Sequence, residues 1–522
     1  MPTLTPIPLN PREKQVIGWN FIMQQLSPET PYGNTLKANT GIYSSEDRQE
    51  LLEEFENIAY MIKSLQNSAS IHEKLGYELI KLKDIRPILR KLQSNQNLDE
   101  VDFYELKYTL LVSQRIIGLY SQLDLSIKNI QFSDLSESLS ILDPQHTQLP
   151  TFQYYPEYSD RLQNIQKEKK SLENTMFQLQ KKKTVEKKVK NAEFLDELEH
   201  LKQKRTLLVQ QEQAEIGIIR RNLSHQLLSY VHNFKSLITS LGNLDWLLEK
   251  AKLALQFSGC RPDIQKFSKK KEKIALKLEE MHNPYIASLL AARNRSFTSL
   301  SVQFSRGVNL ITGANMGGKT VLLYTTLLNI LLAHSGFYVF AKSADIPLGA
   351  FFSSIFTDNQ DLSQGLSSFG AEIVMFNRVL LDHENEPGFL FIDEFARGTN
   401  PSEGRMIFKA IVRYLQFLPW ISVLTTHYDI KPEPNVSNFQ VVGLRNTDLS
   451  ALAQKLSNIQ DDPSRSVALI QDHMDYHIIP VTSNTSIPMD AINIAQILGL
   501  KPAIIQFAKE FIQNDLHQNV KE

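Results

Sequence analysis

An α/β domain preceded by a mostly α-helical region is the fold class this 522-residue sequence predicts, and three observations carry it. Residues up to about 280 are rich in Leu, Lys, Glu and Gln and poor in glycine, with apolar residues three and four apart, the period of helices packed on one face. From about residue 296 to 482, short apolar runs (VNLITG, GFLFID, ISVLTTH) alternate with helical stretches, the pattern of a parallel sheet with crossover helices. At the first of these runs a strand gives way to a glycine-rich loop and then to an apolar helix.

The helical region comes first. Tyr158 to about Glu215 is strongly charged, with heptad-like spacing of Leu172, Met176 and Leu179 and of Phe194, Leu198, Leu201 and Leu208. This predicts two long helices forming an antiparallel coiled-coil arm over 158–215. Nine lysines against three acidic residues lie between Lys167 and Lys190. Such a face is either simply solvated or a basic tip that meets phosphates, and Glu193, Asp196, Glu197 and Glu199 follow at once.

The chain is too long for one core, so several domains are expected. A formal net charge of -1 gives no overall pull toward nucleic acid or membrane, so any such patch is local. The only cysteine, Cys260, permits no intrachain disulfide, which suits the reducing cytoplasm. The N-terminus has no apolar signal segment. Thr320 to Ala341 contains no Lys, Arg, Asp or Glu, yet it follows directly on a phosphate-type loop, so it reads as a buried helix and strand rather than a membrane span.

That loop is GANMGGKT: Gly313, Ala314, Asn315, Met316, Gly317, Gly318, Lys319 and Thr320. It fits the spacing at which glycines let backbone N–H groups curl around phosphate oxygens at a helix N-terminus. Lys319 is expected at the β- and γ-phosphates of ATP and Thr320 at Mg²⁺. GFLFIDE supplies the acidic strand end: Asp393 for Mg²⁺ and Glu394 to orient or deprotonate the attacking water. ISVLTTH ends at the same sheet edge in His427, expected near the γ-phosphate. The fold class is thus an α/β P-loop NTPase domain behind a helical region, and the activity expected is ATP hydrolysis. A nucleotide-binding scaffold without turnover is disfavoured by the presence of Lys319, Thr320, Asp393, Glu394 and His427 together.

ITGANMGGKT, FLFIDEFARGTNPSEG and TTHYD, with DNQDLSQGLSSFGAEI between them, resemble the ATPase domain of the MutS family, a branch of the ABC-type ATPases. The resemblance implies nucleotide sites completed across a homodimer or heterodimer. Ser367 would contact the γ-phosphate held by the partner, and Thr399 and Asn400 would lie where two ATPase domains meet. It implies a helical core and lever over 1–280 that includes the clamp-like arm, and an ATPase domain over 281–485. The apolar runs AINIAQILG and PAIIQFAKEFIQ, punctuated by Gly499 and Pro502, predict a helix-turn-helix over 486–522, read as a packing or dimerisation element rather than a DNA-binding one because the second run is not basic. An adenine-stacking aromatic is expected near Tyr285.

The sequence also departs from a mismatch-repair MutS. The helical core begins near residue 30, leaving no room for mismatch-reading domains, and the chain ends at Glu522 with no room for the nuclease domain of a longer relative. Phe103-Tyr104-Glu105 has the letters of the mismatch-reading motif but sits in what reads as a core helix. GANMGGKTV, GLSSFGAEI, FQVVGLRN, HMDYHI and DAINIAQILGL further resemble the MutS-related ATPase subunit of the lysine 5,6-aminomutase reactivase. That resemblance implies an aminomutase client and a second reactivase subunit as partners. The alternative is a DNA clamp or sensor acting on duplex DNA.

Overall fold

The computed structural model describes residues 4–185, 192–267, 275–313, 318–356, 368–428, 435–444, 447–448, 451–452, 454, 469–481, 490–497 and 500–518. The chain divides into two compact units, one of Met1–Leu26, Asn39–Ala59 and Glu249–Glu522, the other of Ser27–Ala38 and Tyr60–Leu248.

The first unit contains twelve strands among the described residues: β1 (Thr5–Pro6), β2 (Gly41–Ile42), β3 (Asp263–Lys266), β4 (Leu276–Met281), β5 (Leu300–Phe304), β6 (Gly307–Thr312), β7 (Ser343–Leu348), β8 (Phe351–Ile355), β9 (Gly388–Ile392), β10 (Trp420–Thr426), β11 (Ser437–Gly443) and β12 (Asp475–Pro480). Six of them form the main sheet in the order β12-β11-β6-β10-β9-β8. All its pairings are parallel except that of β12 with β11. β6, β9 and β10 are buried on both faces, which is why they read as unbroken apolar runs. Parallel pairing brings the C-terminal ends of β6, β9 and β10 to one edge of the sheet.

The charge-free run from Thr320 forms a helix, Lys319–His334, buried along nearly its whole length, but 335–341 forms turns and an isolated bridge at Val339 rather than the expected strand, which begins only at Ser343. Its Thr326 and Asn329 side chains reach Met281 Sδ (3.8 Å) and the His282 carbonyl (3.3 Å) at the end of β4. A helix enclosed on several sides needs no charged face. Among the described residues no helix is long and apolar enough to cross a membrane.

A second sheet, ordered β3-β7-β4-β5, corrects the reading of the first 280 residues as helical. Helix ends at Gln256, and β3 and β4 precede residue 282. The Lys- and Glu-rich sequence LKLEEM looks helical by composition. Its burial instead alternates at Leu276 and Leu278 before an irregularity at Glu280 (φ +48°), so tertiary pairing with β5 and β7 decides its conformation. The compact units likewise divide the chain at Leu248/Glu249 rather than near 280, and they assign two N-terminal segments to the sheet-containing unit.

The second unit is helical. Asp245 accepts from Glu29 N–H, Thr30 N–H and the Thr30 hydroxyl, anchoring the start of the helix Pro31–Ala38. Lys107, fully buried, is held by Asp143 (3.2 Å), the Tyr155 hydroxyl (2.9 Å) and the Thr151 carbonyl (3.0 Å). Burial of an unpaired ammonium would be prohibitive, and these three partners tie the 143–155 segment to the helix Glu100–Ser121. Phe103 lies in that helix, is fully buried and packs on Phe152 (5.0 Å between ring centres). It is a core residue and cannot wedge into a duplex.

The helices Asp160–Val185 and Ala192–Leu228 run antiparallel. Ile165, Leu172 and Leu208 form their buried seam, with Met176 and Leu201 against it. Lys204 pairs with Glu168 (2.9 Å), Arg205 with Glu173 (2.9 Å), and Lys169 with Glu212, so several arm charges are neutralised between the two helices. Leu179 lies in the first helix, and the side chain of Phe194 lies outside the described residues.

At the C-terminus, Asp490–Ile497 and Pro502–Gln518 are helices, as the two apolar runs there predict.

Candidate nucleotide site

The site is built where β6, β9 and β10 end. Gly313 follows β6 with φ +142°, and Gly318 opens the buried helix with φ +78°. A Cβ at Gly318 would stand 2.8 Å from the Tyr476 ring, so both backbone angle and space demand glycine there. Ala314, Asn315, Met316 and Gly317 lie outside the described residues, as does Ser367.

Lys319 is nearly fully buried; its Nζ donates to the Gly313 carbonyl at 2.7 Å and lies 3.6 Å from Glu394 Oε1. Burial holds its ammonium below the ordinary lysine value, and the charges of Glu394 and Asp393 oppose that shift. The Thr320 hydroxyl donates to Asp393 Oδ2 at 2.7 Å, and Thr425 donates to Oδ1. Burial pushes the Asp393 carboxyl up, while the bonds from Thr425 and Thr320 work against it. Glu394 N–H donates to Thr425 Oγ1 (3.1 Å), and Glu394 Oε2 pairs with Arg397 (3.0 Å). Glu394 and Ala396 both have positive φ, at +50° and +63°. For residues with side chains that conformation is strained, and it persists here because the surrounding bonds fix it.

The sequence pattern did not point to Thr425 or Arg397. Thr425 has a legible signal: β10 and β9 pair with Leu424 opposite Ile392, so the next residue on each strand, Thr425 and Asp393, come side by side.

His427 lies at the exposed edge of the site with its ring 4.4 Å from that of Tyr428. Partial burial lowers its pKa; Glu394 opposes this, and Arg397 and Lys319 add to it. His427 therefore lies within electrostatic range of all three. Asn400 caps the helix Pro401–Leu415, its Oδ1 accepting from Ser402 N–H (3.0 Å) and from the Ser402 hydroxyl (2.7 Å).

A cavity of about 850 Å³ is lined by Lys319, Thr320, Asp393, Glu394 and Arg397 together with apolar residues including Ile286, Leu290, Phe297 and Met474. Arg295 lines it too, paired with Gln471 and with Asp472 (3.6 Å), and its Nη2 is buried with no hydrogen-bond partner among the described residues. Ile286, next to Tyr285, lines the cavity, while Tyr285 itself does not. Tyr285 packs on Phe21 (5.8 Å) and against Gly18, and the aromatics lining the cavity are Phe297, Tyr324 and Tyr476.

The residues fit a magnesium nucleotide. Thr320 and Asp393 converge as two hard oxygen donors, Lys319 supplies a buried cation beside them, and Arg295 offers a donor without a partner. Among the described residues no cluster of three or more His, Cys, Asp or Glu could hold a metal by itself.

Strand, glycine-bounded loop, buried lysine and an acidic strand end at one sheet edge define a P-loop nucleotide-binding domain. Residues 309–514 match the family described as MutS domain V. Among its relatives, the Endonuclease MutS2 of Carboxydothermus hydrogenoformans is 27% identical over 314 residues, covering 58% of this chain and 35% of that protein. The Endonuclease MutS2 of Geobacillus thermodenitrificans is 28% identical over 309 residues (59% and 35%), and that of Synechocystis sp. 30% over 322 residues (58% and 36%). The chain spans about a third of the length of these relatives.

Proposed function

We propose that this chain binds ATP with Mg²⁺ in the cavity and hydrolyses it. The observation that carries the reading is the convergence of buried Lys319, the Thr320–Asp393 bond and Glu394 in the wall of a nucleotide-sized cavity. Lys319 takes the phosphate oxygens, which compete with Glu394 for its ammonium. Thr320 and Asp393 hold Mg²⁺, whose charge offsets that of the phosphates. Glu394 orients the attacking water and accepts its proton as the water oxygen bonds to the γ-phosphorus and the bond to the bridging oxygen breaks, releasing ADP. His427, at the rim, contacts the γ-phosphate. Phe297 packs against the base, and Arg295 Nη2 donates to the nucleotide.

The active form is a dimer, homo- or heteromeric, in which Ser367 completes the partner's site and the Thr399–Asn400 turn lies at the junction. Ser367→Ala is then expected to lower turnover; full activity in a species that sediments as a monomer would overturn the shared site.

ATP turnover drives a change in how the helical arm holds a client. The resemblance to the aminomutase reactivase subunit supports a protein client, with an aminomutase and a second reactivase subunit as partners. The relatives' designation as endonucleases and the lysine-rich arm support the second reading, a duplex DNA client. Steady-state ATP turnover, with and without duplex DNA at low and physiological salt, separates them. Stimulation that fades steeply with salt identifies nucleic acid. Turnover indifferent to DNA at both salts leaves the protein client. Absence of turnover under every condition refutes the hydrolase reading itself.

A further inference from the structure

Beyond the groups that meet the nucleotide, one buried carboxylate is aimed at the turn that carries Glu394 and its partner Arg397. Glu372, in the helix Ser368–His383, is 6% exposed, and its Oε2 accepts the Ala396 N–H at 2.7 Å. The carbonyl of the same residue accepts from the Tyr428 hydroxyl at 2.9 Å. Both polar groups of Ala396 are thus fixed by side chains from other elements.

The space around that turn is closed. A Cβ at Gly404 would stand 2.6 Å from the Tyr428 hydroxyl and 3.0 Å from the Ala396 carbonyl. Ala396 lies between Glu394 and Arg397, and its φ of +63°, like that of Glu394, belongs to a region that side-chain-bearing residues leave unless held. A carboxylate costs free energy to bury, and burial does push Glu372 up, with the Ala396 bond opposing it. A merely space-filling position in this apolar layer, beside Phe376 and Phe395, would suit a methionine better.

We infer that Glu372 is a positioning residue for ATP hydrolysis: by accepting the Ala396 N–H it holds the strained turn in the conformation that presents Glu394 to the water and Arg397 to Glu394. It thereby links the helix Ser368–His383 to the reacting end of the site. This rests on the reading of Glu394 as the water-activating group.

The test compares Glu372→Met, which keeps length and removes the acceptor, with Glu372→Gln, which keeps a carbonyl oxygen for the same bond. Each is measured for kcat and for ATP affinity by fluorescent-nucleotide titration. Glu372→Met is expected to lose tenfold or more in kcat with ATP Kd changed less than about threefold, and Glu372→Gln to recover most of the rate. If Glu372→Met does not fold, Tyr428→Phe removes the bond on the other side of the same residue and is expected to lower kcat with Kd unchanged. Wild-type kcat in the variant that folds, or loss of rate that glutamine does not restore, overturns the inference. Glu394→Gln is run alongside. If it turns over at the wild-type rate, the reading of Glu394 has failed; if it is inactive while Glu372→Met is fully active, only the positioning role has.

Discussion

The Thr320 hydroxyl and Asp393 Oδ2, 2.7 Å apart, join the first turn of the buried helix to the residue that follows β9. The bond preassembles the two oxygen ligands expected for Mg²⁺. Asp393→Asn is therefore expected to lower turnover about 100-fold or more and to erase the dependence of nucleotide affinity on Mg²⁺. Titration with and without a chelator measures this; a wild-type magnesium effect in the variant would remove Asp393 from the metal site.

Lys319 and Glu394 face each other across 3.6 Å but carry different expectations. Lys319→Ala should abolish tight ATP binding, because it removes the buried cation that stands beside Thr320, Asp393 and Glu394. Glu394→Gln should still bind ATP and lose turnover by about 100-fold or more, since a carboxamide cannot accept the proton of water. Equilibrium binding and single-turnover hydrolysis together distinguish the two outcomes.

Arg295 Nη2 is buried without a hydrogen-bond partner among the described residues, a costly arrangement for a donor unless a ligand completes it. Arg295→Met is expected to weaken ATP binding tenfold or more while leaving the thermal midpoint of the nucleotide-free protein unchanged or raised. A fall in midpoint with unaltered affinity would make Arg295 a structural residue only.

His334 gives a pH prediction remote from the cavity. It is fully buried, its Nε2 accepts from Gly349 N–H (3.1 Å) and its Nδ1 is 2.8 Å from the Ile330 carbonyl, so the neutral ring carries its proton on Nδ1. Burial lowers its pKa to about 4. A depressed folded-state pKa means that the unfolded chain takes up the proton first as pH falls. The stabilisation is then complete above about 6.5 and is lost toward about 4, on the order of 3 kcal/mol for this group. Urea midpoints at pH 7 and pH 5 should differ less in His334→Gln than in the wild type; parallel pH dependence in the two proteins would refute the assignment.

Much of the site was legible because its chemistry is local. The loop spacing from Gly313 to Thr320, the carboxylates after GFLFI and the histidine after ISVLTT each sit at the end of an apolar run, and parallel strands end at one edge. Thr425 needed the strand register, and Arg397 needed the turn that follows Glu394. Phe297, Arg295 and Tyr476 were not legible, because they come from segments on either side of the core strands with no spacing rule between them. The strand character of LKLEEM was hidden by a composition that favours helix.

By itself, then, the sequence pointed to the phosphate-type loop, the buried helix behind it and the carboxylates that follow GFLFI, since each depends on neighbours within one strand-loop-helix unit. The tertiary structure alone decided which aromatics line the cavity, that Tyr285 and Asn400 have local packing and capping roles, and that Glu372 reaches Ala396. Those relationships join residues whose partners no spacing rule names, and only the folded backbone brings them within hydrogen-bond or packing range.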